Sequence, residues 1–166
     1  VPICLHPGMP HHEVRNIYYK DYTEEFALFP QAAWGYTVET ATMAIRLVLS
    51  RVFETIPNLK IILGHLGETL PFLLWRVNHN LKRPGNAPIE FREVFCNNFY
   101  VTTSGNFSDP ALLCCMQELG VDRILFAIDW PFIDNKLGTD WFEKLAISKE
   151  DKIKILSGNS SRIFKL

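Results

Sequence analysis

Four short, nearly continuous apolar runs punctuate this chain: Val1 to Leu5, Lys60-Ile61-Ile62-Leu63, Phe99-Tyr100-Val101-Thr102 and Ile124-Leu125-Phe126-Ala127. Runs without polar alternation are strands covered on both faces, and helical stretches separate them. That combination specifies an α/β protein built on a parallel sheet. Periodicity fits a small open sheet and half of an eight-stranded barrel equally well, so the choice falls to the residues at the strand ends.

Between these strands the helices are marked by their apolar stripes and stop signals. A stripe through Ile45, Leu47, Val48, Leu49, Val52, Phe53 and Ile56 predicts a helix from about Thr40 to Thr55, ended by Pro57-Asn58. Pro71 sits near the start of a second helix reaching about Asn80, where a missing amide hydrogen costs little. A loop is expected from about Lys82 to Pro88, then a short helical piece carrying Phe91, Val94 and Phe95. Asp109 is expected as N-cap of a helix that runs through Pro110 to Leu119 and stops at Gly120. Helical pieces near 139–147 and 149–156, and a turn around Ser160 to Phe164, complete the reading. A long irregular insert at about 7–33, rich in Tyr, Phe, Pro and His, exceeds an ordinary loop and suits a lid or binding loop. Its Tyr18, Tyr19, Tyr22, Phe26 and Phe29, with Trp34 just beyond, would cover a planar ligand or merely pack the loop down.

Three strands end in groups that bind metal or move protons: His6, His65 and Asp129. The third ends instead in the neutral polar run Thr102-Thr103-Ser104-Gly105-Asn106. In parallel α/β folds such positions converge on one pocket, and imidazole and carboxylate are suitable ligands for zinc or manganese. In Gly64-His65-Leu66-Gly67-Glu68 the carboxylate lies three residues after the histidine, spaced to orient the ring as an acid/base partner; the alternative is an acid in a first helical turn. Arg76 is a candidate for a substrate carboxylate or for bracing that pair, with a surface or subunit-interface ion pair as its alternative. His11 and His12 are expected in solvent or in a lid, and His79 on the surface.

The formal net charge of -1 offers no broad field for nucleic acid or anionic membranes. No apolar stretch approaches the roughly 20 residues of a membrane helix, and no signal peptide is visible. Cys4, Cys96, Cys114 and Cys115 show no disulfide or zinc-site spacing and are expected as reduced, buried thiols of a cytoplasmic protein, with one of the adjacent pair half exposed. Because Val1 opens directly on a core strand, further residues are expected before it.

The stretches Leu5-His6-Pro7, "ETATMAIRLVLSRVFETIPNLKIILGHLGETLPFLLWRVNHN", "FYVTTSGNF", "DRILFAIDWPF" and "GNSSRIFKL" closely resemble the decarboxylase branch of the amidohydrolase superfamily. That group contains γ-resorcylate and 2,3-dihydroxybenzoate decarboxylases and, more distantly, aminocarboxymuconate semialdehyde decarboxylase. The likeness covers nearly the whole chain apart from the insert. It implies a metal-dependent (β/α)8 barrel, with residues 1–166 forming its C-terminal half, strands five to eight. By that likeness His6 is a metal ligand and Asp129 both contacts a Zn2+ or Mn2+ ion and takes part in proton transfer. His65, Glu68 and Arg76 match active-site positions, and the terminal "GNSSRIF" is structural. The ligands that the family draws from its first strand have no counterpart here.

The implied reaction is decarboxylation of a small aromatic carboxylate, with Asp129 delivering a proton to the ring carbon, His65 and Glu68 managing protons, and Phe132 walling the ring. Two alternatives stay open on sequence: a metal-dependent hydrolase of a lactone or amide, and a non-catalytic structural fragment. A homodimer or homotetramer is the expected assembly.

Overall fold

The computed structural model describes residues 1–86 and 89–166. The strands β1 (Ile3–Leu5), β2 (Ile61–Leu63), β3 (Phe99–Thr102) and β4 (Ile124–Leu125) form one sheet in the order β1-β2-β3-β4. Every pairing is parallel, with Leu5, Leu63, Val101 and Ile124 in register across the four strands. Sequential parallel neighbours joined by helices are the β/α arrangement expected from the apolar runs.

Side-chain alternation divides the sheet. Ile61, Leu63 and Phe99 meet Ala44, Val48, Leu70 and Leu74 of the helices in one buried cluster. Val101 and Ile124 join Leu112, Cys115, Phe142 and Ile155 in another. On the opposite face Ile62, Tyr100 and Leu125 form a small cluster packed by Ile163. Phe91, Phe95 and Phe99 stack in series, with centroids 5.9 and 4.7 Å apart.

The fourth strand is shorter than its apolar run because its amides are taken by other groups. Phe126 N–H donates to Ile155 O at 2.9 Å and Ala127 N–H to the Thr103 hydroxyl at 3.0 Å. The ladder therefore ends at Leu125.

The insert is not irregular throughout. It contains α1 (His12–Tyr18) and a 3-10 turn at Lys20–Tyr22. Helix α2 (Gly35–Leu49) starts five residues before the expected Thr40. Gly35 lies so close to Pro30 that an added Cβ would stand 2.1 Å from the Pro30 carbonyl oxygen, so glycine is required there. The expected single helix to Thr55 is broken at Arg51, whose φ of 66° separates α2 from α3 (Val52–Thr55). A single turn, α4 (His65–Glu68), precedes α5 (Leu70–Asn80); α6 (Phe91–Asn98) leads into β3. Of the expected Lys82–Pro88 loop, residues 87 and 88 lie outside the described residues.

Asp109 is not the cap of α7 (Asp109–Leu119): Ser108 holds that position, and Asp109 Oδ1 accepts from the Trp141 indole at 2.7 Å. Helix α8 (Asn135–Lys144) starts earlier than expected because Asp134 caps it, accepting from Lys136 N–H at 2.7 Å. Helix α9 (Lys149–Ile153) passes through a π turn at Lys154–Gly158 into α10 (Asn159–Phe164). Buried Asn159 ties α10 down by donating to the carbonyls of Val121 at 2.8 Å and Ile124 at 2.7 Å. No helix among the described residues is long and apolar enough to cross a membrane.

The cysteines are unpaired, but only Cys115 is buried; Cys4 is exposed, and Cys96 and Cys114 are half-buried. Burial pushes the Cys115 thiol up to about 12, far from the thiolate that reacts with alkylating agents. Iodoacetamide at mildly alkaline pH is expected to modify Cys115 only after denaturation, as read by peptide mass spectrometry. Modification in the native protein would contradict its placement.

Candidate active site

The β2–α5 connection organises the site. His65, Leu66, Gly67, Glu68 and Thr69 have successive φ values of 49°, 54°, 79°, 53° and 66°, one turn of left-handed backbone. L-residues resist this conformation by roughly 1–2 kcal/mol each, so surrounding contacts must impose it. Those contacts are visible. Gly67 N–H donates to Gly64 O at 2.8 Å, Cys115 Sγ donates to Leu66 O at 3.4 Å, and Leu66 is buried in the core. At Gly67 a Cβ would stand 2.8 Å from Val101 Cγ1, which excludes any larger residue.

The turn brings Glu68 back under His65. Glu68 does lie in a first turn, α4, but its side chain is wholly buried and its Oε1 lies 2.7 Å from His65 Nδ1. A carboxylate accepts, so Nδ1 carries the proton and Nε2 faces outward. Nε2 lies 3.7 Å from Asp129 Oδ2. The bond to Glu68 raises the His65 imidazole above its ordinary value; burial opposes this, and the charges of Glu68 and Asp129 assist it.

In the metal-free protein the sign of the linkage is fixed by that shift. A raised folded-state value contributes stability that is fully present below the unfolded histidine value of about 6.5 and is lost as pH rises through the folded value. Glu68→Gln is accordingly expected to cost more stability near pH 6 than near pH 9, as measured by denaturant unfolding. Equal costs at both would contradict this coupling.

The neutral run after β3 builds the remainder. Thr102 and Ser104 share a hydroxyl bond of 2.7 Å, and Ser104 Oγ accepts from His65 N–H at 3.4 Å. Asn106 Nδ2 donates to His65 O at 3.4 Å. Thr103, fully buried, donates to Ala127 O at 2.8 Å and so anchors the loop that carries Asp129. Gly105 supplies space: its φ is +64°, and a Cβ would stand 2.9 Å from His65 Cδ2 and 3.1 Å from Asp129 Oδ2.

A cleft of about 610 Å³ opens over these groups, with His6, His65 and Asp129 on its polar side. Leu28, Ala32, Ala33 and Tyr36 form one apolar wall, and Phe132 and Ile133 another. The insert contributes to that wall, but not through the aromatics singled out in the sequence. Tyr19 is buried edge-on against Phe29 at 4.9 Å and Tyr22 meets Phe29 edge-on at 6.1 Å, so these rings pack the loop down.

His6 Nδ1 lies 2.8 Å from Pro7 O. In the neutral ring that carbonyl fixes the hydrogen on Nδ1 and leaves the Nε2 lone pair free. Arg76 is the sequence-derived candidate that is not brought in: it is exposed on α5 and does not line the cleft. His79 stacks on Trp75 at the surface, and His11 and His12 are exposed. Thr37, Gly105, Ser104 and Asn106 were not individually legible as site residues; the unbroken polar run after an apolar strand was the available signal for the last three.

The amidohydrolase family profile matches residues 1–166. Among curated relatives, γ-resorcylate decarboxylase from Rhizobium sp. is 41% identical over 171 aligned positions, covering 100% of this chain and 51% of the relative. The corresponding enzyme from Rhodococcus jostii is 39% identical, with 50% of its length covered. Among solved structures, a dihydroxybenzoic acid decarboxylase from Polaromonas sp., with bound manganese and the inhibitor 2-nitroresorcinol, is 42% identical with a TM-score of 0.91. The match covers 100% of this chain and 50% of that one. A 2,6-dihydroxybenzoate decarboxylase complexed with 2,6-dihydroxybenzoate is 39% identical, with a TM-score of 0.87 over 99% of this chain and 51% of that one. The chain thus spans about half the length of the relatives it matches, as a four-unit half of a (β/α)8 barrel. With whole-chain coverage by the family profile and a superposable fold, the chain belongs to the amidohydrolase family.

Proposed function

We propose that this cleft serves a metal-dependent, non-oxidative decarboxylation of a dihydroxybenzoate-type acid, residues 1–166 being one part of a single barrel domain. The observation that carries this reading is the 39% identical structure complexed with 2,6-dihydroxybenzoate, which matches 99% of this chain.

The donors suit a divalent cation, manganese or zinc. His6 offers an imidazole lone pair and Asp129 a carboxylate at one cleft. Among the described residues no three His, Cys, Asp or Glu side chains cluster to hold an ion, so this chain contributes part of the donor set. A bound cation supplies Lewis-acid stabilisation of charge on substrate oxygens.

The chain's own residues account for the proton. Asp129, protonated by the imidazolium of His65, delivers that proton to the ring carbon bearing the carboxylate and returns to the carboxylate form. The carbon–carbon bond then breaks, its electron pair returns to the ring and CO2 leaves. His65, 3.7 Å from Asp129, hydrogen-bonds the substrate and manages protons, with Glu68 fixing its tautomer. Phe132, Ile133 and Leu28 border the ring and exclude water.

We place Arg76 outside this cleft, on the outer side of α5 with Phe72 and Trp75, which are 81% and 72% exposed. Those rings support a homodimer or homotetramer, with Arg76 in its interface. The unpaired cysteines support a cytoplasmic setting.

The test is a paired assay of metal-loaded protein on 2,6-dihydroxybenzoate and on a small aromatic lactone. CO2 release without lactone opening is expected. Lactone opening without CO2 release would replace the decarboxylase by a hydrolase.

A further inference from the structure

We propose that Thr37 is a positioning residue for the proton-transfer pair: its hydroxyl holds the buried Glu68 carboxylate that orients His65. Helical threonines ordinarily return their hydroxyl to the carbonyl four residues earlier. On α2 two of them do so, Thr40 to Tyr36 O at 2.8 Å and Thr42 to Val38 O at 2.7 Å. Thr37 instead donates across 31 residues to Glu68 Oε2 at 2.8 Å.

Glu68 is the one carboxylate among the buried polar side chains of the described residues. Its two oxygens have separate partners: Oε1 takes His65 Nδ1 and Oε2 takes Thr37. No buried side-chain polar atom among the described residues lacks a partner. Removing the hydroxyl takes away the direct donor to Oε2 of a wholly buried carboxylate, which then rotates or changes partner. The left-handed turn transmits the change, because His65 and Glu68 sit on the same turn. Thr37 thus ties the first turn of α2 to the turn after β2, and it lines the cleft itself.

This inference rests on the acid/base role proposed for His65, and the test separates the two. The low-field proton resonance of the His65 Nδ1–H, assigned by its loss in His65→Asn, is followed beside steady-state kinetics in Thr37→Val and Thr37→Ser. The valine variant keeps the shape and loses the donor; the serine variant keeps the donor. Thr37→Val is expected to shift or abolish the resonance and to lower kcat about 10- to 100-fold, with KM changed less than about threefold. Thr37→Ser is expected to restore both. An unmoved resonance in Thr37→Val, or Thr37→Ser failing as far as Thr37→Val, would overturn the proposal. If His65→Asn kept parental turnover, the acid/base reading would fall, and the resonance alone would still decide whether Thr37 positions the ring.

Discussion

Replacing His65 by Asn is expected to lower kcat by about 10²- to 10⁴-fold, the range for loss of a positioned acid/base group. The amide is small enough for the site and can still donate to Glu68 Oε1, so the buried carboxylate keeps a partner. What disappears is the ring nitrogen 3.7 Å from Asp129 Oδ2, the atom assigned to the proposed proton transfer. An effect confined to kcat, with substrate still bound, identifies an interaction used in the transition state. Turnover within a few-fold of the parent, in a variant with parental metal content, would contradict the assignment.

Gly105→Ala is expected to lower kcat/KM by about 100-fold although glycine carries no chemical group, because a displacement near 1 Å costs that much at a reacting centre. Two penalties act together. The backbone at φ +64° disfavours any L-residue, and the added methyl carbon would stand 2.9 Å from His65 Cδ2 and 3.1 Å from Asp129 Oδ2. The neighbours that must yield are His65 and Asp129, the two groups assigned to the proposed proton transfer. Gly8→Ala is the control: nothing lies within 4 Å of a Cβ there. Parental kcat/KM in Gly105→Ala, with the fold intact by circular dichroism, would show that the spacing of His65 and Asp129 does not limit turnover.

Much of the architecture was legible because burial leaves a plain trace. Ile61, Ile62 and Leu63 form an apolar triplet in sequence and are all buried in β2. Pro71 and Gly120 stand at helix ends as their backbone chemistry requires. Local pattern fails where tertiary bonds override it. Thr103 and the Ile155 carbonyl take the amides that would have prolonged β4. The first turn of α2, from Gly35 to Glu39, lacks the stripe that marks the rest of that helix.

The site divides in the same way. His6, His65 and Asp129 stood out as reactive groups at strand ends, and the structure sets all three around one cleft. Of the left-handed turn only Gly67, a glycine beside the histidine that permits a tight turn, left a trace; Leu, Glu and Thr have no preference for that backbone, which is imposed by contacts made far along the chain. Thr37 was hidden for a related reason. Its partner is 31 residues away, and no spacing rule connects a helix turn to a loop at that distance.

The most direct measurement is proton NMR of the metal-replete intact barrel with 2,6-dihydroxybenzoate in D2O, repeated after chelation. The expected product is resorcinol carrying a single deuterium at the carbon that bore the carboxylate, released with CO2 and abolished by chelation. Metal-replete protein that leaves 2,6-dihydroxybenzoate unchanged, or turnover undiminished by chelation, would contradict the proposed decarboxylation.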